Sequence, residues 1–220
     1  MAIAFDSFNQ ASQAAATSQT LSHTGTGSNL ASVVVVLGSA TVDDLLDCTY
    51  AGSSMTKLQT LAPGAVQNRY VYLFYLSGVT SGAQDVVATA TNASIVRVHC
   101  ATYSGVTAGA RDATNTKGDT AGTTSPTISV TTVADNCWAT AFFSAAGGGT
   151  FSDGTNYTER SGSAGADRGF GDTNSAQTPA GSKALTATNS SADDYGAVVV
   201  SFAPAAVVAT TNNFLLMGTK

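Results

Sequence analysis

The feature that most constrains the fold is the lack of helical periodicity in the hydrophobic pattern. Short apolar runs alternate with clusters of Gly, Ser, Asn and Asp along most of the chain of 220 residues. Apolar runs bounded by turn residues indicate β-strands. Many strands without helical insertions favour two packed antiparallel sheets. The one segment with some helical character is 8–16.

We predict an all-β fold, an antiparallel two-sheet jelly-roll β-sandwich formed by residues 1–204. Residues 104–125, rich in Gly, Thr and Asp, are predicted to form a long loop. The predicted strands 30–38, 69–76, 94–103 and 195–203 carry the side chains expected in the core. These are Val34, Val36, Leu73, Val98, Val198, Val200 and Phe202.

The chain carries little charge. Nine basic and 14 acidic residues give 10% charged positions and a net charge of −5, where an ordinary domain has about 25% charged residues. The basic residues are scattered, which argues against nucleic acid as a partner. A neutral, hydroxyl-rich surface suits packing against proteins or glycans.

Neither a membrane span nor a secretory signal is expected. No apolar stretch approaches the ~18 residues of a membrane-spanning helix, and residues 1–6 lack the basic and apolar regions of a signal peptide. Cys48, Cys100 and Cys137 show no metal-binding spacing. We interpret them as buried, reduced side chains, with a single disulfide as the alternative.

No residue pattern typical of an enzyme is present, so we predict no catalytic residues and no cofactor. His99 and Cys100 are adjacent in a predicted strand and should point to opposite faces. The chain has a single glutamate, Glu159. Asp43, Asp44 and Asp47 are weak candidates for calcium ligands, although turn aspartates usually cap backbone donors.

A ligand face is predicted on the strand that carries Arg97 and His99, because these side chains alternate with the core residues of that strand. Tyr103, Tyr157 and Tyr195 are candidate exposed aromatics that could stack on a sugar. Trp138 is interpreted as a core residue, since both faces of its strand are apolar.

The chain ends in a linker and an apolar segment at 205–220, which we call the tail. An apolar run, Phe214, Leu215, Leu216 and Met217, follows a linker of small and polar residues at 205–213. Four apolar side chains near a free end are costly to leave in water. We predict that they dock on a partner; the alternative is that they fold back onto the chain's own sheet.

Several segments of 18–204 carry a resemblance. They are the turn 23–29 before strand 30–37, the segment 49–58 (TYAGSSMTKL), the aromatic strand ending at 74–76, the small-residue strand 85–91, a strand that closes in YSGV at 103–106 and the closing strand 197–204. In these the chain resembles the concanavalin-A-like jelly-roll β-sandwich domains of bacteria and phages. The resemblance implies a binding or packing module and carries over no catalytic residues.

The expected function is that of a non-enzymatic virion structural protein, a phage capsid decoration or tail component. Its expected partners are other virion proteins or copies of itself, in a homo-oligomer. It would be made in the host cytoplasm without a signal peptide and reside in the virion. The alternative is a carbohydrate-binding or adhesin module.

Overall fold

The computed structural model describes residues 1–38, 41–64, 69–109, 111–161 and 167–205, which form strands and connections without a helix. Among these residues no helix could cross a membrane. The strands are β1 (Ala4–Gly25), β2 (Leu30–Leu37), β3 (Leu45–Tyr50), β4 (Ser53–Ser54), β5 (Thr56–Leu61), β6 (Val71–Val79), β7 (Gly82–Ser104), β8 (Ala113–Thr123), β9 (Thr127–Thr132), β10 (Trp138–Ala145), β11 (Phe151–Thr155), β12 (Thr158–Glu159), β13 (Arg168–Asp172), β14 (Gly181–Asn189) and β15 (Asp193–Phe202).

The described strands form three antiparallel sheets. A seven-stranded sheet has the order β4-β3-β7-β2-β6-β5, with β1 paired to β7. A five-stranded sheet has the order β12-β13-β10-β15-β8, and a three-stranded sheet has the order β11-β14-β9. The all-β antiparallel sandwich is confirmed, while three sheets replace the two that the sequence predicts. The jelly-roll connectivity stays a prediction.

β1 and β7 each run through two layers. They pair with one another from Ala4↔Ser104 to Gly25↔Gly82, with register shifts around Ala16. On the other edge of β7, its C-terminal part pairs with β2 and its N-terminal part with β3. The sheet therefore folds over itself, because residues of β2 and β6 share one hydrophobic core with residues of β3 and the N-terminal part of β7.

The strand order repeats along the chain. In the first half (β1 to β7), the order is β5-β6-β2-β7-β1 in one layer and β3-β7-β1 in the other. In the second half (β8 to β15), the corresponding orders are β12-β13-β10-β15-β8 and β11-β14-β9. The register repeats as well: Val35 pairs with His99 in the first half as Phe142 pairs with Val198 in the second.

Three cores hold the layers together. The first core lies within the first half and the second core within the second half. The middle core joins the five-stranded layers of the two halves and contains Val33, Leu73, Phe142, Val198 and Phe202, among other residues. β2 and β10, in the middle of these layers, are therefore buried at every position, and β2 is apolar on both faces as buried strands commonly are.

Contacts across the middle core are reciprocal. Tyr103 and Phe202 hold equivalent positions in the two halves, and their ring centroids are 4.9 Å apart. The Tyr103 hydroxyl donates to Asp172 Oδ2 at 3.2 Å, while Phe202 stacks on Tyr75, the equivalent of Asp172, at 6.3 Å. Such an arrangement is that of an isologous interface. The halves thus pack about an approximate two-fold axis.

The core predictions are confirmed, since all seven side chains named for the core are at most 1% exposed. Cys48, Cys100 and Cys137 are free and buried, as predicted. The loop predicted at 104–125 is wrong over Ala113–Thr123, because β8 pairs with β15 along its length. Segment 8–16 belongs to β1 rather than to a helix. Residues 206–220 of the tail lie outside the described residues.

Candidate functional site

A cleft opens where β1 and β7 of the first half meet β13 of the second half, at the border of the middle core. Its volume is about 370 Å³. The lining residues are Gln10, Ala11, Ser12, Arg97, His99 and Arg168. We call it the arginine cleft, and it falls within the size range of small-molecule sites, roughly 300–1,000 Å³.

A second cavity of about 190 Å³ adjoins the arginine cleft, because Arg97 and Arg168 line both. It adds Arg69 and Asp167 to the same charged cluster. Leu37, Ser144 and Ala145 complete its lining. Three of the chain's nine basic residues therefore meet at this one place.

Strand alternation explains why these side chains converge. On β7, Val96, Val98 and Cys100 enter the first core, so Arg97 and His99 point to the opposite face. Arg97 pairs with Leu37, at the end of β2, and therefore lies at the rim of the middle core. In the second half, Arg168 pairs with Ser144 near the end of β10.

His99 lies deep in this cleft, with only 4% of its surface exposed. The rings of Phe8 and Phe142 flank it at centroid distances of 6.3 and 5.2 Å. Neither imidazole nitrogen has a hydrogen-bond partner among the described residues. Burial, helped by the positive charge of Arg97, lowers the pKa of His99 to about 3. The imidazole is therefore neutral at physiological pH.

The arginines are only partly paired. Arg168 Nη2 lies 2.6 Å from Asp167 Oδ1, and Arg69 Nη1 donates to the Gly38 carbonyl at 3.2 Å. Arg168 Nε and Nη1 and Arg97 Nε are buried and have no partner within the described ranges. The cleft thus presents unpaired N–H donors.

The charges of the cluster act on one another. Burial lowers the pKa of Arg69, and Arg97 adds to this effect while Asp167 opposes it. Burial also raises the pKa of Asp167, against the pull of Arg97 and Arg69. One carboxylate thus faces three guanidinium groups, and the cleft is net positive. Its chemistry suits the binding of a hydrogen-bond acceptor that carries negative charge.

The predicted ligand face is only partly present. The structure brings Arg97 and His99 together in the cleft, and it adds Arg69 and Arg168, which the sequence analysis missed. The exposure expected for Tyr103, Tyr157 and Tyr195 is wrong, since each is at most 2% exposed.

The three tyrosines are buried because their hydroxyl groups find partners inside the protein. The Tyr157 hydroxyl donates to Glu159 Oε2 at 2.7 Å, and the Tyr195 hydroxyl donates to the Thr127 carbonyl at 2.8 Å. Both rings belong to the second core, whereas Tyr103 lies in the middle core. The three side chains therefore do not form an exposed face that could stack on a sugar.

The calcium candidates do not converge on a site. Asp47 caps its own turn, accepting from the Cys48 amide at 2.7 Å and from the Ser54 hydroxyl at 3.3 Å. Asp44 is buried and Asp43 is exposed. Within the described residues, no group of three or more His, Cys, Asp and Glu side chains could hold a metal ion.

A second polar cluster surrounds His23 and was not found from the sequence. His23 Nε2 lies 3.0 Å from Ser7 Oγ and 3.1 Å from Thr102 Oγ1. A catalytic triad requires an acid on the other imidazole nitrogen. His23 Nδ1 has no partner among the described residues, and Asp6 instead accepts from Thr26 and Thr102. The cluster is therefore a structural hydrogen-bond network that ties β1 to β7.

Comparisons with known proteins do not assign a function to the arginine cleft. No protein-family model matches the chain, and no curated protein matches its sequence. The resemblance to the concanavalin-A-like jelly-roll domains therefore stays a prediction.

Proposed function

We propose that the protein is a non-enzymatic virion structural protein, a phage capsid decoration or tail component that packs against other virion proteins or copies of itself. The observation that carries the proposal is that the described residues form hydrophobic cores from their own side chains. All three cores are built from side chains between Ile3 and Phe202. The large apolar side chains exposed on the described surface are Met1, Val42 and Val133.

The tail adds four large apolar side chains to a chain whose described surface exposes large apolar side chains at three positions. It continues from Ala205, whose carbonyl accepts from the Met1 amino group at 3.3 Å. The eight residues 206–213 precede Phe214, and such a length of extended chain reaches about 26 Å. The apolar segment can therefore contact a neighbouring subunit or another virion protein.

The energetics favour docking of this segment. Each large apolar side chain contributes about 1.5–3 kcal/mol on full burial, so Phe214, Leu215, Leu216 and Met217 together contribute about 6–12 kcal/mol. Fixing the backbone of these four residues costs about 4–8 kcal/mol. The body offers little electrostatic repulsion between copies, since only 10% of the chain is charged. Both features support assembly into a homo-oligomer or onto a particle.

Removal of residues 206–220 tests this role. We expect the shortened chain to keep the unfolding temperature of the full chain but to lose its self-association in multi-angle light scattering. A matched pair of variants separates apolar docking from tail length. Phe214→Ser with Leu215→Ser should abolish association, whereas Asn212→Ser with Asn213→Ser should not.

Two results would overturn the proposal. One is a full chain that is strictly monomeric and absent, by mass spectrometry, from particles made by the genome that encodes it. The other is a large fall in unfolding temperature on tail removal, which would show that the tail completes the chain's own fold.

A carbohydrate-binding or adhesin module is the second candidate, and the arginine cleft is the observation that favours it. The cleft has the volume of a small-ligand site and converging polar side chains. Retention of the chain without its tail on immobilised glycans would support this role. It would also separate glycan binding from tail-driven assembly.

A further inference from the structure

The arginine cleft holds more buried hydrogen-bonding nitrogens than the protein itself satisfies. Arg97 Nε, Arg168 Nε and Nη1, and both nitrogens of His99 lack a partner among the described residues. Leaving a buried polar group unpaired is costly, and such groups nearly always have a protein or solvent partner. These nitrogens therefore need a partner from outside the described residues, which solvent or a bound ligand can supply.

The fold itself does not require these polar side chains, because the second half builds the same sheet without them. By register, the equivalent of His99 is Val198, and the equivalent of Arg97 is Gly196. Arg168 of the second half corresponds to Val71 of the first. The related end of the middle core therefore uses side chains without polar atoms at these positions.

The positive charge of the arginine cleft favours an anionic ligand. Arg69, Arg97 and Arg168 face the single carboxylate of Asp167, in a chain whose net charge is −5. Guanidinium groups pair bidentately with carboxylate and phosphate oxygens. A neutral imidazole contributes one further N–H donor.

We propose that the arginine cleft binds an oxyanion carried by a small ligand: the carboxylate of an acidic sugar, or a phosphate. Arg97 and Arg168 pair with its oxygens, and His99 donates from the floor of the cleft. Arg69 adds positive charge from the adjoining cavity. This binding goes beyond the assembly function and does not depend on the tail.

Calorimetric titration of the full chain tests the proposal with three probes: sodium glucuronate, inorganic phosphate and uncharged glucose. We expect at least one of the two anions to bind with a Kd of up to about 10 mM, and we expect glucose not to bind. Binding of glucuronate alone identifies a carboxylate ligand, and binding of phosphate alone identifies a phosphate ligand. Failure of both anions to bind overturns the proposal.

Variants taken from the related half keep the test specific. Arg168→Val and His99→Val place at each position the residue that the other half uses, and we expect at least about tenfold weaker binding. Arg97→Gln should weaken binding similarly, whereas Arg111→Gln, which makes the same charge change in a different groove, should not. Equal effects of Arg97→Gln and Arg111→Gln would overturn the proposal, because they would show unspecific attraction.

Histidine NMR gives a readout that needs no variant. His99 and His23 are the two histidines of the chain, and His23 lies in its own network with Ser7 and Thr102. Saturating anion should shift the imidazole nitrogen signals of His99 and leave those of His23 unchanged. Shifts at His23 alone, or at neither histidine, would contradict the proposal.

Discussion

The two halves of the molecule build the same strand order and register from different side chains, and one such difference lies at the border of the middle core. At equivalent positions, the first half has His99 and Arg97 where the second has Val198 and Gly196. The backbone arrangement is therefore set by strand alternation and by turns rather than by these individual side chains. The polar side chains of the arginine cleft occur in one half only and lack partners among the described residues, which supports the proposed anion site.

The halves also differ in how their layers are connected. In the first half, β1 and β7 are continuous over 22 and 23 residues and belong to both layers. In the second half, the equivalent strands are interrupted, so that β8 and β9, and likewise β14 and β15, lie in separate sheets. The same two-layer unit thus tolerates either a bent strand or a broken one.

The largest expected effect on the free energy of unfolding comes from removing a large side chain at the contact between the halves. Phe202→Ala should lower the free energy of unfolding by about 3–5 kcal/mol, as for other buried aromatic residues. Because the ring contacts Tyr75 and Tyr103 of the first half, we expect a single transition that is shared by both halves. Urea unfolding followed by Trp138 fluorescence and by circular dichroism measures this.

The control for this variant is Val133→Ala, at a side chain that is 77% exposed, which should change stability by less than about 0.5 kcal/mol. Two separate transitions would show that the middle core does not couple the halves.

A smaller effect should appear in the pH dependence of stability. His99 has a folded-state pKa of about 3, against an ordinary value of 6.5. Between these values the unfolded chain binds a proton that the folded chain does not, so stability falls as the pH drops. From pH 7 to pH 4 this histidine should account for a loss of about 3 kcal/mol.

His99→Val, which copies the second half, removes this contribution and should flatten the curve of unfolding free energy against pH. His23 titrates in both proteins, so its contribution cancels in the difference. Parallel curves for wild type and variant would exclude His99 as the source of the acid sensitivity.

The smallest expected effect compares two equivalent turns. Asn29 and Asn136 precede β2 and β10, and both have positive φ, at 51° and 59°. This conformation costs an alanine residue about 1–2 kcal/mol. Asn29→Ala and Asn136→Ala should therefore lower the free energy of unfolding by similar amounts, measured by urea unfolding. The corresponding glycine variants should recover most of the loss. A cost at one turn alone would show that the two turns are not equivalent.

Strand alternation in the sequence located most of the fold. The apolar runs around Val34, Leu73, Val98 and Val198 predicted buried strands correctly. β8 was missed, because Ala113–Thr123 contains no large apolar residue and forms a strand through backbone pairing with β15. The repeat was missed because equivalent positions, such as Val35 and Phe142, agree in character rather than in identity.

The candidate site was harder to predict. The alternation of β7 pointed to Arg97 and His99, but the convergence of Arg69 and Arg168 depends on the packing of one half against the other. No local pattern encodes that packing. The tyrosines were misplaced because an aromatic side chain between polar residues gives no signal of whether its hydroxyl finds a partner in the core.

The hydrogen bond between the Met1 amino group and the Ala205 carbonyl places the two ends of the described body side by side. Chain ends that lie close together allow circular permutation. A chain opened at the exposed residues 107–109, between β7 and β8, and joined through 206–220 would read second half first. Since both halves have the same strand order, such a permutant would present the same architecture, with the order of the halves along the gene reversed.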